Sequence, residues 1–293
     1  MDDPTVAPVV CGVDGSGQAL AAVRWAAQDA LARDLPLRLV AATGRLDDDG
    51  GLAPIGAADR ARRARETAAR NLEDAVVVAR EVLPAHRICT AVAEDAAVTA
   101  LHHESAHARL LVLGDRGRGG FAELLAGSVA VGTAATARCP VVVLRGMHTP
   151  GGPVVVGVDG SGLADAALGV AFAEARLRGA PLVALHAWSD DVADPYVGLL
   201  VDSEATLAAE RRLLDVALAR WTGEFPDVEV RPEMVRDGAA RALVAASAGA
   251  RLVVVGSRGR GGIAGLLLGS VSRALLHHAH CPVLVARNDS APA

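Results

Sequence analysis

Val13-Asp14-Gly15-Ser16-Gly17 recurs as Val158-Asp159-Gly160-Ser161-Gly162, at an offset of 145 residues. Pro36-Leu37 keeps that offset as Pro181-Leu182. Further along, Gly114-Asp115-Arg116-Gly117-Arg118-Gly119-Gly120 returns as Gly256-Ser257-Arg258-Gly259-Arg260-Gly261-Gly262, now at an offset of 142. Gly127-Ser128-Val129 and Cys139-Pro140-Val141 hold this second offset as Gly269-Ser270-Val271 and Cys281-Pro282-Val283. Chance similarity does not stay in register over so many motifs. The chain is therefore a duplicated unit of about 140 residues, near the modal domain size. The expected domains are 1–147 and 153–293, joined by a breaker-rich linker, Met147 to Pro153.

Each unit alternates apolar runs with helical periodicity. The first gives strands at Pro8–Val13, Leu37–Thr43, His86–Val92, Leu110–Gly114 and Val141–Arg145. The second gives Val154–Val158, Leu182–Trp188, Val228–Val235, Leu252–Gly256 and Val283–Arg287. Most are continuously apolar, as strands buried on both faces are. Between them, Val23, Ala26, Ala27, Ala30 and Leu31 recur at helical spacing, as do Leu168, Ala171, Phe172 and Ala175. Asp59–Leu83 and Asp202–Trp221 read as second helices with Arg-rich outer faces. This βαβαβ order predicts an α/β chain of two tandem doubly wound domains, each a parallel sheet flanked by helices.

Composition narrows the chemistry. The chain is 52% hydrophobic but only 2% aromatic, so its cores must be built from Ala, Val and Leu. It contains no lysine, so all 29 basic residues are Arg. Compositional bias explains the absence, yet it still excludes a P-loop lysine and a Schiff base. Cationic work falls to Arg, a planar phosphate fork. A net charge of −5, the lack of a long basic run and the scarcity of aromatics disfavour a nucleic-acid partner. Cys11, Cys89, Cys139 and Cys281 form no CxxC pair, and the last two precede Pro and an apolar run, which suits buried hydrophobes in a reducing compartment. Met1-Asp2-Asp3-Pro4 is acidic and no apolar run is of membrane-spanning length, so a cytoplasmic protein without a membrane partner is expected.

In open parallel sheets, ligands sit at the carboxyl ends of the strands. Two loops of each unit fall there. The first carries Asp14 or Asp159 at the end of an apolar strand, where a carboxylate can accept ribose hydroxyls or hold a metal. An Asx-turn or a helix cap is the plainer use of Asp-Gly-Ser. The second loop carries Gly114, Gly117, Gly127 and Ser128, or Gly256, Gly259, Gly269 and Ser270. Clustered glycines let backbone N–H groups converge on an anion, and the following helix start suits a phosphate, with Ser128 as the expected N-cap. Arg116 and Arg118, with Arg258 and Arg260 in the second unit, can add charge. A loop that needs glycine only for positive φ is the plainer alternative, weakened by the repetition of the spacing.

Gly-x2-Gly-x9-Gly-Ser at 114–128 and 256–270, each with an upstream Val-Asp-Gly-Ser, resembles the ATP-binding branch of the universal stress protein family in its tandem form. The resemblance spans nearly the whole chain. It implies a five-stranded parallel sheet of order 3-2-1-4-5 in each domain. It also implies ATP as ligand, accompanied by Mg2+, with Asp14 and Asp159 on the adenosine side and the glycines and serines on the phosphates. Ala42 and Ala187, just after the second strands, would meet adenine through their backbones. One departure stands out. The family often has Gly before the third helix, which Asp237-Gly238 matches and Asp95-Ala96 does not. If that position needs positive φ or close ligand approach, the first site is altered.

Other residues have bland readings. His277, His278 and His280 sit at a helix end without an evident metal geometry, and His102, His103 and His107 read as exposed. Trp25, Trp188 and Trp221 read as packing residues, and the arginines of 60–70 as a solvated face. Neither repeat shows an obvious general base or nucleophile beside the phosphate loop. The leading expectation is thus a regulatory ATP-binding module that responds to stress through an unidentified protein partner. The alternatives are a nucleotide-activating or ATP-hydrolysing enzyme, and an interaction protein with vestigial sites. A homodimer is compatible with the sequence, but no residue points to it.

Overall fold

Runs of Val, Leu and Ala with no charge inside them form the centre of each sheet because a strand covered on both faces has no solvent side. The computed structural model describes residues 6–44, 56–117, 127–146, 149–188, 203–259 and 268–287. The chain separates into two compact units, Met1–Leu144 and Arg145–Ala293.

In the first half the strands are β1 (Val9–Gly12), β2 (Leu37–Ala42), β3 (Ile88–Ala93), β4 (Leu110–Gly114) and β5 (Val141–Leu144). They pair only in parallel, in the order β3-β2-β1-β4-β5. In the second half they are β6 (Val154–Gly157), β7 (Leu182–Trp188), β8 (Val230–Arg236), β9 (Leu252–Gly256) and β10 (Val283–Ala286), in the equivalent order β8-β7-β6-β9-β10. Each half is thus a doubly wound five-stranded sheet of order 3-2-1-4-5. Three of the expected strands, Leu110–Gly114, Leu182–Trp188 and Leu252–Gly256, keep their limits, and the others shift by one or two residues. For example, β3 begins at Ile88 because Ala85–Arg87 close a 3-10 turn, and β8 begins at Val230 rather than Val228.

The helices of the first half are α1 (Gly17–Ala32), α2 (Ala57–Arg80), α3 (Ala97–Glu104) and α4 (Ser128–Thr136). Those of the second are α5 (Gly162–Arg178), α6 (Ser203–Glu224), α7 (Ala239–Ser247) and α8 (Ser270–His278). Ser16 and Ser161 cap α1 and α5, accepting the N–H groups of Ala19 at 3.1 Å and Ala164 at 3.2 Å. On α1, Ala22, Val23, Ala26, Ala27 and Ala30 are fully buried, small enough for the helix to lie close on the sheet. Leu31, expected on that face, is 49% exposed instead, since the helix turns it past the edge of the buried stripe.

Cys11, Cys139 and Cys281 are buried free thiols. Burial pushes the Cys11 thiol far above its ordinary value and Cys281 up to about 12, so neither is a nucleophile at neutral pH. Among the described residues no helix is long and apolar enough to cross a membrane.

Three aromatics of the second half cluster, Phe172 of α5 with Trp221 and Phe225, their ring centroids 5.6 to 6.4 Å apart. Trp221 is fixed from its other end, its indole N–H donating to Asp165 at 2.8 Å. A Cβ added at Gly169 would lie 2.8 and 2.9 Å from ring carbons Cζ2 and Cζ3 of that tryptophan. Alanine is worth about 1 kcal/mol over glycine inside a helix, whereas overpacking a fixed core costs about 1–3 kcal/mol. Gly169→Ala should therefore lower stability in urea unfolding. A rise would show that the ring yields.

Candidate functional site

The site of each half forms where β1 and β4, or β6 and β9, end side by side. Asp14 and Asp159 follow those central strands, and each closes an Asx-turn: Oδ1 accepts the N–H of Ser16 or Ser161 at 2.9 Å. In the second half the Ser161 hydroxyl adds a bond at 2.6 Å. The plainer reading of Asp-Gly-Ser is therefore realised, but it uses only one carboxylate oxygen. Oδ2 of Asp14 faces Gly117, and Oδ2 of Asp159 faces Gly259, so closely that a Cβ on either glycine would collide with it. The two motif loops of each half thus meet.

None of Gly114, Gly117, Gly127, Gly256, Gly259 and Gly269 has positive φ. The backbone conformation therefore does not demand glycine at these positions, and at Gly117 and Gly259 close approach does. The serines correct a second expectation. Gly127 and Gly269, not Ser128 and Ser270, are the N-caps of α4 and α8, with extended φ/ψ near −71/143 and −71/162. Ser128 and Ser270 are first helical residues, because the extended cap conformation falls to the glycine before them. Neither cap makes a side-chain hydrogen bond, so the N–H groups of the first turn, which capping would normally satisfy, have no acceptor from the cap residue. The loop is held to the strand by the Gly127 N–H donating to the Asp115 carbonyl at 2.7 Å, and by Gly269 donating to Ser257 at 2.8 Å.

In the second half these groups line one cavity of about 350 Å³. Asp159, Ala187, Gly256, Arg258, Gly259, Gly269 and Ser270 all border it. Val158, Leu185, Ala239 and Leu243 make its other wall apolar. Ala42 is the last residue of β2 and Ala187 lies inside β7, rather than after the strands as expected. Arg116 is partly exposed and Arg258 exposed. Arg118 and Arg260 lie outside the described residues. Gly238 and Ala96 both take extended N-cap conformations, φ −65 and −59, and a Cβ at Gly238 would meet open space. The Ala96 departure therefore imposes no backbone change on the first site.

Two features escaped sequence reasoning. His186, buried on β7 beside Ala187, places Nδ1 2.7 Å from the Val158 carbonyl and Nε2 2.8 Å from Glu210 of α6. Both ring nitrogens therefore have a hydrogen-bond partner. This arrangement braces the strand end that bears Asp159. Only a pairing across 24 residues reveals it, which no local pattern records. The other is Asp115, buried at the start of the glycine loop and 3.5 Å from Arg116. His102 also departs from expectation: it is half-buried, its Nδ1 2.8 Å from the Thr136 carbonyl. His277 is held below the ordinary histidine range, first by burial and then by His278. Among the described residues no cluster of His, Cys, Asp or Glu suits a metal ion.

The model of the Universal stress protein family matches residues 6–145 and again 152–287. The chain belongs to the universal stress protein family. It is 40% identical over 296 residues to a universal stress protein of Mycobacterium tuberculosis, covering 96% of this chain and 97% of that one. A second relative from that organism is 39% identical over 298 residues, covering 96% of each. The fold is similar to that of a universal stress protein from Archaeoglobus fulgidus, with TM-score 0.68, 20% identity and 96% of each chain covered. A structure from Pseudomonas aeruginosa aligns at TM-score 0.60 and 18% identity, over 97% of this chain and 94% of that one.

Glu210→Ala removes one acceptor from the buried His186 ring. It should cost about 1–3 kcal/mol in denaturant unfolding, and a loss under 0.5 kcal/mol would show that water replaces the carboxylate.

Proposed function

We propose that each half of the chain, 1–147 and 153–293, is a nucleotide-binding domain for one ATP, whose occupancy switches the protein's interactions in a stress response, with at most slow hydrolysis. The observation that carries the reading is the convergence of Asp159, the glycine loop and the uncapped start of α8 on one cavity. Its volume of about 350 Å³ lies at the lower end of the range for small-molecule sites. Its make-up is divided as a nucleotide is, with an apolar wall for a base and backbone donors for phosphate.

In this reading Asp14 and Asp159 accept ribose hydroxyls, and Ala42 and Ala187 meet adenine through their backbones. Gly114, Gly117, Gly127 and Ser128, with Gly256, Gly259, Gly269 and Ser270, hold the phosphates. Arg116, Arg118, Arg258 and Arg260 add positive charge. Mg2+ travels with the phosphates and offsets part of their charge. The chain's own work is to bind and orient the nucleotide. The reading includes a cytoplasmic location, where ATP is plentiful, and a regulatory protein partner.

Calorimetric titration with ATP tests it. Asp14→Asn with Asp159→Asn keeps an acceptor for each Asx-turn while removing the charge, and the double Asp→Ala variant removes both. Losing a charged hydrogen bond costs about 1.5–3 kcal/mol, so ATP affinity should fall roughly tenfold to a hundredfold in the alanine variant. Undiminished affinity, with circular dichroism unchanged, would contradict the site.

A further inference from the structure

The two halves superpose their backbone bonds but not their charges. At the position after β4 and β9, Asp115 donates its N–H to the Leu144 carbonyl at 3.1 Å, and Ser257 donates to Ala286 at 3.2 Å. The carbonyls of Asp115 and Ser257 themselves accept the N-cap N–H of the following helix, from Gly127 and Gly269. Both residues are 4% exposed. One half therefore buries a carboxylate at the residue after the strand, and the other buries a hydroxyl there.

The neighbouring arginine differs as a result. Arg116 lies 3.5 Å from the Asp115 carboxylate, so its charge is met within its own loop. Arg258 borders the cavity, is exposed and has no ion-pair partner among the described residues. The full sequence of the loops carries the same contrast. Asp115 and Glu123 balance Arg116 and Arg118 over 114–128, whereas Arg258 and Arg260 stand without an acid over 256–270. A second substitution acts in the same direction. Ser272 on α8 donates its hydroxyl to the Gly256 carbonyl at 2.7 Å, tying the helix start to the strand end, and Ala130 stands at the matching position of α4.

We propose that the two sites are unequal: the second half is the polyphosphate site, and Asp115 makes the first half lose affinity as phosphate charge is added to the ligand. The inference rests on the nucleotide-binding reading above. The Arg116 contact meets the Asp115 charge and withdraws that cation from the ligand, a penalty that grows with each unit of ligand charge and is larger in a partly buried site than in water. A nucleoside lacking phosphate escapes the penalty, so the discrimination is by charge and not by base.

The test is calorimetry on the full chain with adenosine, AMP and ATP. The unsubstituted chain should show two classes of ATP site that differ on the order of tenfold. Asp115→Ser should strengthen the weaker class until the two approach each other, and Ser257→Asp should weaken the tighter one. Neither substitution should move adenosine binding by more than about twofold. Because the readout is a ratio of ligands on one sample, it is insensitive to a modest loss of folded protein. The gap should also narrow as salt is raised. Two equal ATP sites in the unsubstituted chain, or an unmoved weaker class in Asp115→Ser, would overturn the inequality and leave the nucleotide reading standing. No ATP binding at all would overturn both.

Discussion

In each half, a carboxylate oxygen and a glycine α-carbon share a space too small for a Cβ. Oδ2 of Asp14 lies against Gly117, and Oδ2 of Asp159 lies against Gly259. This contact joins the loop after the first strand to the loop after the fourth. Without it the two motifs would be separate turns on one sheet edge. With it, a carboxylate and the uncapped start of a helix face the same space. The sheet order makes the contact possible, since β1 and β4 are neighbours although 97 residues separate Gly12 from Leu110 by count of the chain between them.

The fold was legible because two periodicities were clean. Strands such as Leu110–Gly114 and Leu252–Gly256 are apolar throughout, and a duplicated register multiplies every weak signal by two. That the two motif loops of each half come together was legible for a related reason: glycine spacing is a backbone property, and the backbone of a doubly wound sheet is set by topology. What the spacing could not say is why glycine is there. Positive φ and close approach leave the same letter in a sequence, and only the position of the Asp14 and Asp159 carboxylates separates them. Ser128 differs from the expected cap because Gly-Ser permits either residue to take the extended cap conformation, and the geometry falls to the glycine.

Side chains buried across long separations were not legible. His186 reads as one polar letter in an apolar strand until Glu210 is placed beside it. Asp115 reads as a loop residue next to glycines, where exposure is the ordinary expectation, yet its side chain is 5% exposed. Leu31 errs in the opposite sense, since helical spacing places it on the apolar face but a stripe made of alanines is too narrow to cover it. In each case the deciding quantity is burial, which depends on what packs above a residue rather than on its neighbours in the chain.

A cradle made of backbone N–H groups has a consequence for a duplicated chain. Its geometry is fixed by glycines, strand ends and helix starts, so the residue between Gly114 and Arg116 can change from hydroxyl to carboxylate without disturbing a backbone bond. What changes is the acid beside the following arginine, since Arg116 lies 3.5 Å from the Asp115 carboxylate. A site that held phosphate through a lysine would couple shape and charge in one side chain, and this chain has none. Separating the two lets the copies keep one backbone arrangement while their charges drift apart, which is the ground of the inequality proposed between them.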